Sequence, residues 1–179
     1  DIAPTNIFVT YGGVAKVVDF GIATARGRLP RTRTGEIKGH LSYMAPEQCR
    51  GAPVTPQTDL WSLGVVLWEL LAGRRLFQRN NDASTMRAIL DEEIPSPREY
   101  RDLPAEAEEL VMSMLSRSSR ARPRTARAVG RKLLRAVGST VGYASSADVA
   151  EWMEELFPDG KAEREAGVST ALRLAERYV

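Results

Sequence analysis

The stretch DIAPTNIFVTYGGVAKVVDFG, residues 1–21, decides the fold. Two short apolar runs, Ile7 and Val9 and then Ala15, Val17 and Phe20, flank the tetrapeptide Thr10-Tyr11-Gly12-Gly13. Paired glycines take positive φ at little cost, so the pattern predicts a hairpin of two short strands. Asp1 and Asn6 share one loop in D-x-x-x-x-N spacing, and the returning strand brings in Asp19 of an Asp-Phe-Gly triplet. Carboxylate and amide oxygens of this kind suit a hard cation such as Mg²⁺. A carboxylate near an attacking hydroxyl is what phosphoryl transfer from a nucleotide needs. Taken singly, each element is weak, because D-x4-N recurs by chance and DFG also reads as a strand end followed by a turn.

Outward from this stretch the order of motifs carries more weight than any one of them. Gly21 to Lys38 is rich in Arg, Thr and Gly without apolar periodicity, which predicts a long exposed loop of the sort kept for function. Ala45-Pro46-Glu47 follows, within YMAPEQ, and then Asp59 at the head of DLWSLGVVLWELLAG. Leu60 to Ala72 is apolar almost all round and predicts a central buried helix. Further helices are predicted over Ala83 to Leu90 with Asp82 or Ser84 as cap, from Pro104 through Leu115, and from Thr125 to Val137. The last carries Val129, Leu133, Leu134 and Val137 on one face. After a break at Gly138 to Ala144, a Ser145/Ser146 cap leads an amphipathic stripe from Val149 to Phe157, ended by Pro158-Asp159-Gly160. That stripe is expected as additional core. A last short helix is expected over Ser169 to Tyr178.

Composition bounds the class. The 179 residues carry 25 Lys+Arg against 23 Asp+Glu, a net charge of +2. That charge argues for neither nucleic acid nor a membrane surface. Arg74, Arg75 and the basic residues from Arg117 to Arg135 read as solvated helix faces. Cys49 is the lone cysteine, so no internal disulfide forms; a reducing cytoplasm fits, and the thiol reads as a small hydrophobe. His40 is the one histidine, which rules out a histidine-rich metal site. The Leu60–Ala72 run is shorter than the ~20 residues a membrane span requires and Glu69 interrupts it. No signal peptide is visible, and a chain that opens on Asp1 is expected to be a fragment.

Residues 1 to about 137 resemble the C-terminal lobe of a eukaryotic-like serine/threonine protein kinase, with the tone of a bacterial member. The features that carry this are Asp1, Asn6, DFG, APE, the D-x-W-S-x-G helix and the late Arg122, in family order. The resemblance implies an α+β fold: a mainly helical lobe with a short β-hairpin at the active-site edge, an N-lobe missing from these residues, and a helical extension over 138–179. It implies transfer of the ATP γ-phosphate, with Mg²⁺, to Ser or Thr of protein substrates in the cytoplasm. Asp1 matches the catalytic base, Asn6 and Asp19 the Mg²⁺ ligands, and Phe20 with Gly21 the rest of the DFG hinge. Glu47 and Arg122 match a buried salt bridge that anchors the substrate-side loop. Asp59 matches the residue that accepts hydrogen bonds from the catalytic-loop backbone. Thr32 and Thr34, among Arg31, Arg33 and Lys38, are candidate regulatory phosphosites.

Two departures stand out. Ala3 replaces the lysine usual in D-x-K-P-x-N, and His40 replaces the threonine usual after the glycine of Gly39-His40-Leu41-Ser42-Tyr43. His40 is therefore expected to stand in for the missing lysine from across the site. Tyrosine kinases also lack that lysine, but Pro4 and Thr5 depart from their D-L-A-A-R-N form. Ala3 keeps a pseudokinase or scaffold as the alternative, against which Asp1, Asn6 and Asp19 argue. The family's Gly-rich loop and the V-A-I-K lysine with its glutamate partner, which hold ATP, do not occur in residues 1–179, so this stretch by itself is expected to transfer nothing.

Overall fold

The computed structural model describes residues 2–19, 41–138, 142–160, 162, 164 and 166–169. Asp1, Phe20, Gly21, Thr32, Thr34 and His40 lie outside them, as do the loop expected after Gly21 and all but the first residue of the last expected helix. The chain divides into two compact units, Asp1–Ile7 with Val17–Tyr143, and Phe8–Lys16 with Ala144–Val179.

The predicted hairpin forms. β1 (Ile7–Val9) and β2 (Ala15–Val17) pair as a two-stranded sheet. Thr10 closes the turn: its N–H donates to the Val14 carbonyl at 3.0 Å, and its hydroxyl accepts from the Val14 N–H at 3.1 Å.

The first unit is helical. After α1 (Pro46–Cys49), α2 runs over Pro56–Ala72, starting earlier than the apolar run because Pro56 sits in the first turn, where its absent N–H costs nothing. Leu60, Trp61, Val65, Val66 and Trp68 are all buried, as expected of a helix apolar on most sides. Trp61 stacks on Phe77 with centroids 5.7 Å apart, while the Trp68 indole N–H donates to the Pro95 carbonyl at 2.8 Å. The helix packs on α4 (Ala105–Met114), which in turn packs on α5 (Ala126–Gly138). Gly64 permits the α2–α4 approach: a Cβ there would lie 2.9 Å from Met114 Cβ and 3.3 Å from Leu115 Cδ2.

Three details differ from expectation. α3 (Asp82–Asp91) is capped by Asn81, whose side-chain oxygen accepts from the Ser84 N–H at 2.8 Å; its extended backbone allows this. On α5, Val129 and Ala136 are buried, whereas Leu134 is exposed. At about 100° per residue, position 134 falls about 140° from Val129, off the packed face. The basic residues are not uniformly solvated either. Arg117 donates to the Ile89 and Ala88 carbonyls at 2.9 and 3.2 Å at the end of α3, and Arg74 lies 4.7 Å over the Tyr100 ring.

The second unit joins the hairpin turn to α6 (Ser146–Leu156). Ser145 caps α6 by accepting from the Asp148 N–H at 3.2 Å, and the Asp148 carboxylate accepts from the Ser145 N–H at 2.6 Å. The Val149–Phe157 stripe is not core: no residue of α6 is buried, and Trp152, Leu156 and Phe157 are each at least half exposed. Among the described residues no helix is long and apolar enough to cross a membrane.

Candidate active site

The site is built from the ends of the hairpin. Pro4 opens a single 3₁₀ turn, Pro4–Asn6, whose last N–H donates to the Ala3 carbonyl at 2.9 Å. This turn buries Asn6 to 6% exposure and seats Ala3, 1% exposed, in the same hydrophobic cluster as Tyr43, Ala45 and Trp61. From across the hairpin base, the Val18 N–H donates to the Asn6 carbonyl at 2.8 Å. That bond draws the residue before Asp19 against Asn6, so the two oxygen-bearing side chains belong to one backbone junction.

Asp19 has φ 58°, the one non-glycine residue at positive φ among those described. Aspartate tolerates the left-handed region better than most residues, yet the conformation still costs on the order of 1 kcal/mol and persists only where surroundings impose it. An amide oxygen and an exposed carboxylate match the hard-oxygen preference of Mg²⁺. No cluster of three or more His, Cys, Asp or Glu occurs among the described residues.

A second assembly fixes the segment around Tyr43 to Glu47. Arg122 is fully buried and faces Glu47 with both ends of its fork, Nη1 to Oε1 at 2.7 Å and Nη2 to Oε2 at 2.8 Å. Its remaining donors reach the Ser116 and Gln57 carbonyls at 2.8 Å each, and its plane lies 5.1 Å over the Trp61 ring. The Thr58 hydroxyl adds a third bond to Glu47 at 2.8 Å. Burial pushes the Glu47 carboxyl up, but Arg122, its own backbone N–H and Thr58 together hold it below the usual carboxylate value. Asp59 stands exposed in the first turn of α2, one residue from Thr58.

A third group was not legible as a site. Glu69, which only breaks an apolar run in the sequence, accepts from the Tyr43 hydroxyl, Arg75 Nη1 and the Leu76 N–H at 2.8, 2.8 and 3.1 Å. Burial, reinforced by Glu69 and only partly opposed by Arg75, raises the Tyr43 hydroxyl far above its usual value, so it stays a neutral donor. Ser62 Oγ donates to the Tyr43 carbonyl at 2.8 Å and ties the same segment to α2. The available signal was a carboxylate inside an apolar helix, which burial obliges to find partners.

Residues 1–134 match the family described as Protein kinase domain. The chain belongs to the protein kinase family. Several bacterial kinases align with it. Tyrosine-protein kinase MasK of Myxococcus xanthus is 48% identical over 117 residues, covering 65% of this chain and 18% of that protein. Serine/threonine-protein kinases drp72 of Corynebacterium efficiens is 40% identical over 139 residues, 78% of this chain and 26% of that one. Serine/threonine-protein kinase PrkC of Bacillus subtilis is 38% identical over 113 residues, 63% of this chain and 17% of that one. This kinase chain thus spans about a quarter or less of the curated relatives it matches.

Proposed function

We propose that the protein containing this chain is a serine/threonine protein kinase of bacterial signalling that transfers the ATP γ-phosphate to protein hydroxyls. The observation that carries the reading is the Val18–Asn6 backbone bond, which joins the Asn6 loop to the DFG strand with Asp19 in a left-handed conformation. Asn6 and Asp19 would hold Mg²⁺, which when bound neutralises charge on the phosphates. Asp1 accepts the hydrogen bond of the attacking hydroxyl and orients it. His40 supplies the phosphate interaction that the methyl of Ala3 is unable to make, and Phe20 and Gly21 set the hinge beside Asp19. The Glu47–Arg122 bridge holds the protein-substrate side of the site in place, with Asp59 supporting the loop of Asp1. Phosphate on Thr32 or Thr34 would order their loop by pairing with Arg31, Arg33 or Lys38.

Transfer by the whole protein would also need the family's ATP-holding Gly-rich loop and V-A-I-K lysine, motifs that do not occur in residues 1–179. A cytoplasmic setting, where ATP and a reduced Cys49 would coexist, belongs to this reading.

A tyrosine-directed activity is the second reading, favoured by Ala3 and by the name of the Myxococcus relative. Phosphoamino-acid analysis of a mixed substrate labelled by the full-length protein separates the two. Phosphoserine or phosphothreonine is expected; phosphotyrosine alone would replace this reading with the second. A wild-type protein that binds partners but labels nothing would instead support a scaffold.

A further inference from the structure

β1 and β2 are three residues each, and Phe8, Val9, Val14 and Val17 are all at least 40% exposed. A two-stranded ribbon so short and so little covered is marginal by itself. Yet its ends carry Asn6 and Asp19. What the hairpin does have is a close neighbour at its turn. Gly13, at φ 72°, lies so near α6 that a Cβ would overlap the Ser146 carbonyl oxygen and stand 2.9 Å from the Ala150 backbone nitrogen. A second close approach occurs at the far end of α6. A Cβ on Gly160 would overlap the Tyr11 hydroxyl and lie 3.1 Å from Phe157 Cβ. Two glycines on opposite partners, one in the turn and one just beyond α6, thus let backbone meet backbone at one edge and an aromatic ring at the other.

We propose that residues 144–160 are an intramolecular clasp on the Thr10–Gly13 turn, and that the clasp positions Asn6 and Asp19 by holding the hairpin between them. This deepens the kinase reading, on which its catalytic arm rests. Docking removes unpaired hairpin states from the ensemble, so the geometry that binds Mg²⁺ is more populated when the clasp is closed. None of the clasp residues touches a reacting atom; they act through the strands.

Gly13→Asn is the sharpest test in the full-length protein. Asparagine accepts the left-handed backbone of the turn, so the variant challenges the close approach rather than the turn itself. Gly160→Val opposes the clasp from the other partner. Gly12→Asn is the control, since its Cβ would meet nothing nearer than Thr10 Oγ1 at 3.9 Å. Hydrogen exchange without Mg²⁺ or nucleotide should show faster exchange in both α6 and the hairpin for the two clasp variants and not for Gly12→Asn. In kinase assays the Mg²⁺ concentration for half-maximal rate should rise about threefold or more, with the rate at saturating Mg²⁺ within about twofold of wild type.

Unchanged exchange in α6 would show that the clasp does not close in solution. Faster α6 exchange with an unchanged hairpin would break the coupling. A fall in saturated rate at an unchanged Mg²⁺ midpoint would mean a merely structural role. The exchange arm needs no phosphate transfer, so it judges the clasp even if the protein proves not to be an active kinase.

Discussion

Arg122 is the residue whose loss the first unit should tolerate least. Its guanidinium is fully buried and satisfied by Glu47, Ser116 and Gln57. Arg122→Ala leaves Glu47 without its counter-ion and two carbonyls without donors, and should cost about 3–5 kcal/mol in denaturant unfolding. Arg122→Lys should recover little of this, because an ammonium cannot engage both carboxylate oxygens and the two carbonyls at once. Glu47 also ties stability to pH. Its folded carboxyl titrates below the unfolded value of 4.5, so its contribution is complete above that value and disappears as pH falls through the lower folded one. Melting temperature measured from pH 6 down to pH 3 should therefore fall more steeply in the wild type than in Glu47→Gln. Parallel curves would show that the bridge does not couple to protons. The pair was legible from the order of APE and the late arginine. Its third and fourth partners were not, because Ser116 and Gln57 contribute backbone carbonyls, which no side-chain pattern encodes.

Among the elements, α2 governs the packing. Gly64→Val should force α2 from α4, since even a single Cβ would press on Met114 and Leu115. Overpacking of this kind costs about 1–3 kcal/mol, readable as a lowered melting temperature, whereas Gly51→Asn at an open turn should change little. An unchanged melt for Gly64→Val would mean that the two helices are not in close contact. The helix itself was plain in the sequence, from an apolar run behind Pro56. The α5 face was half misread, because Leu133 and Leu134 look alike in a list while the helical period sends Leu134 outward. The Val149–Phe157 stripe carries the opposite lesson. Periodicity marks an amphipathic helix, but burial depends on what lies opposite, and α6 approaches the turn backbone to backbone at Gly13 while Trp152 and Leu156 stay at least half exposed.

At the scale of the whole molecule, the candidate site was drawn from the sequence because phosphotransfer chemistry demands particular oxygens in a particular order, and the fold joins Asn6 to Val18, the residue before Asp19, across the hairpin base. The grouping of the hairpin turn with residues 144–179 was not, since it joins segments far apart in the chain, and Gly13 and Gly160 read only as turn and breaker. Ala3 looked like damage to a catalytic loop. In the fold it is a buried methyl in a hydrophobic cluster, so the loop is packed at that position. The central claim, that the protein moves phosphate with Asp1 as the orienting carboxylate, has a direct test in labelled phosphate transfer by the full-length protein and its Asp1→Asn variant. The wild type should label a protein substrate, and the variant should be slower by about a hundredfold or more. Equal rates in the two proteins would contradict the account.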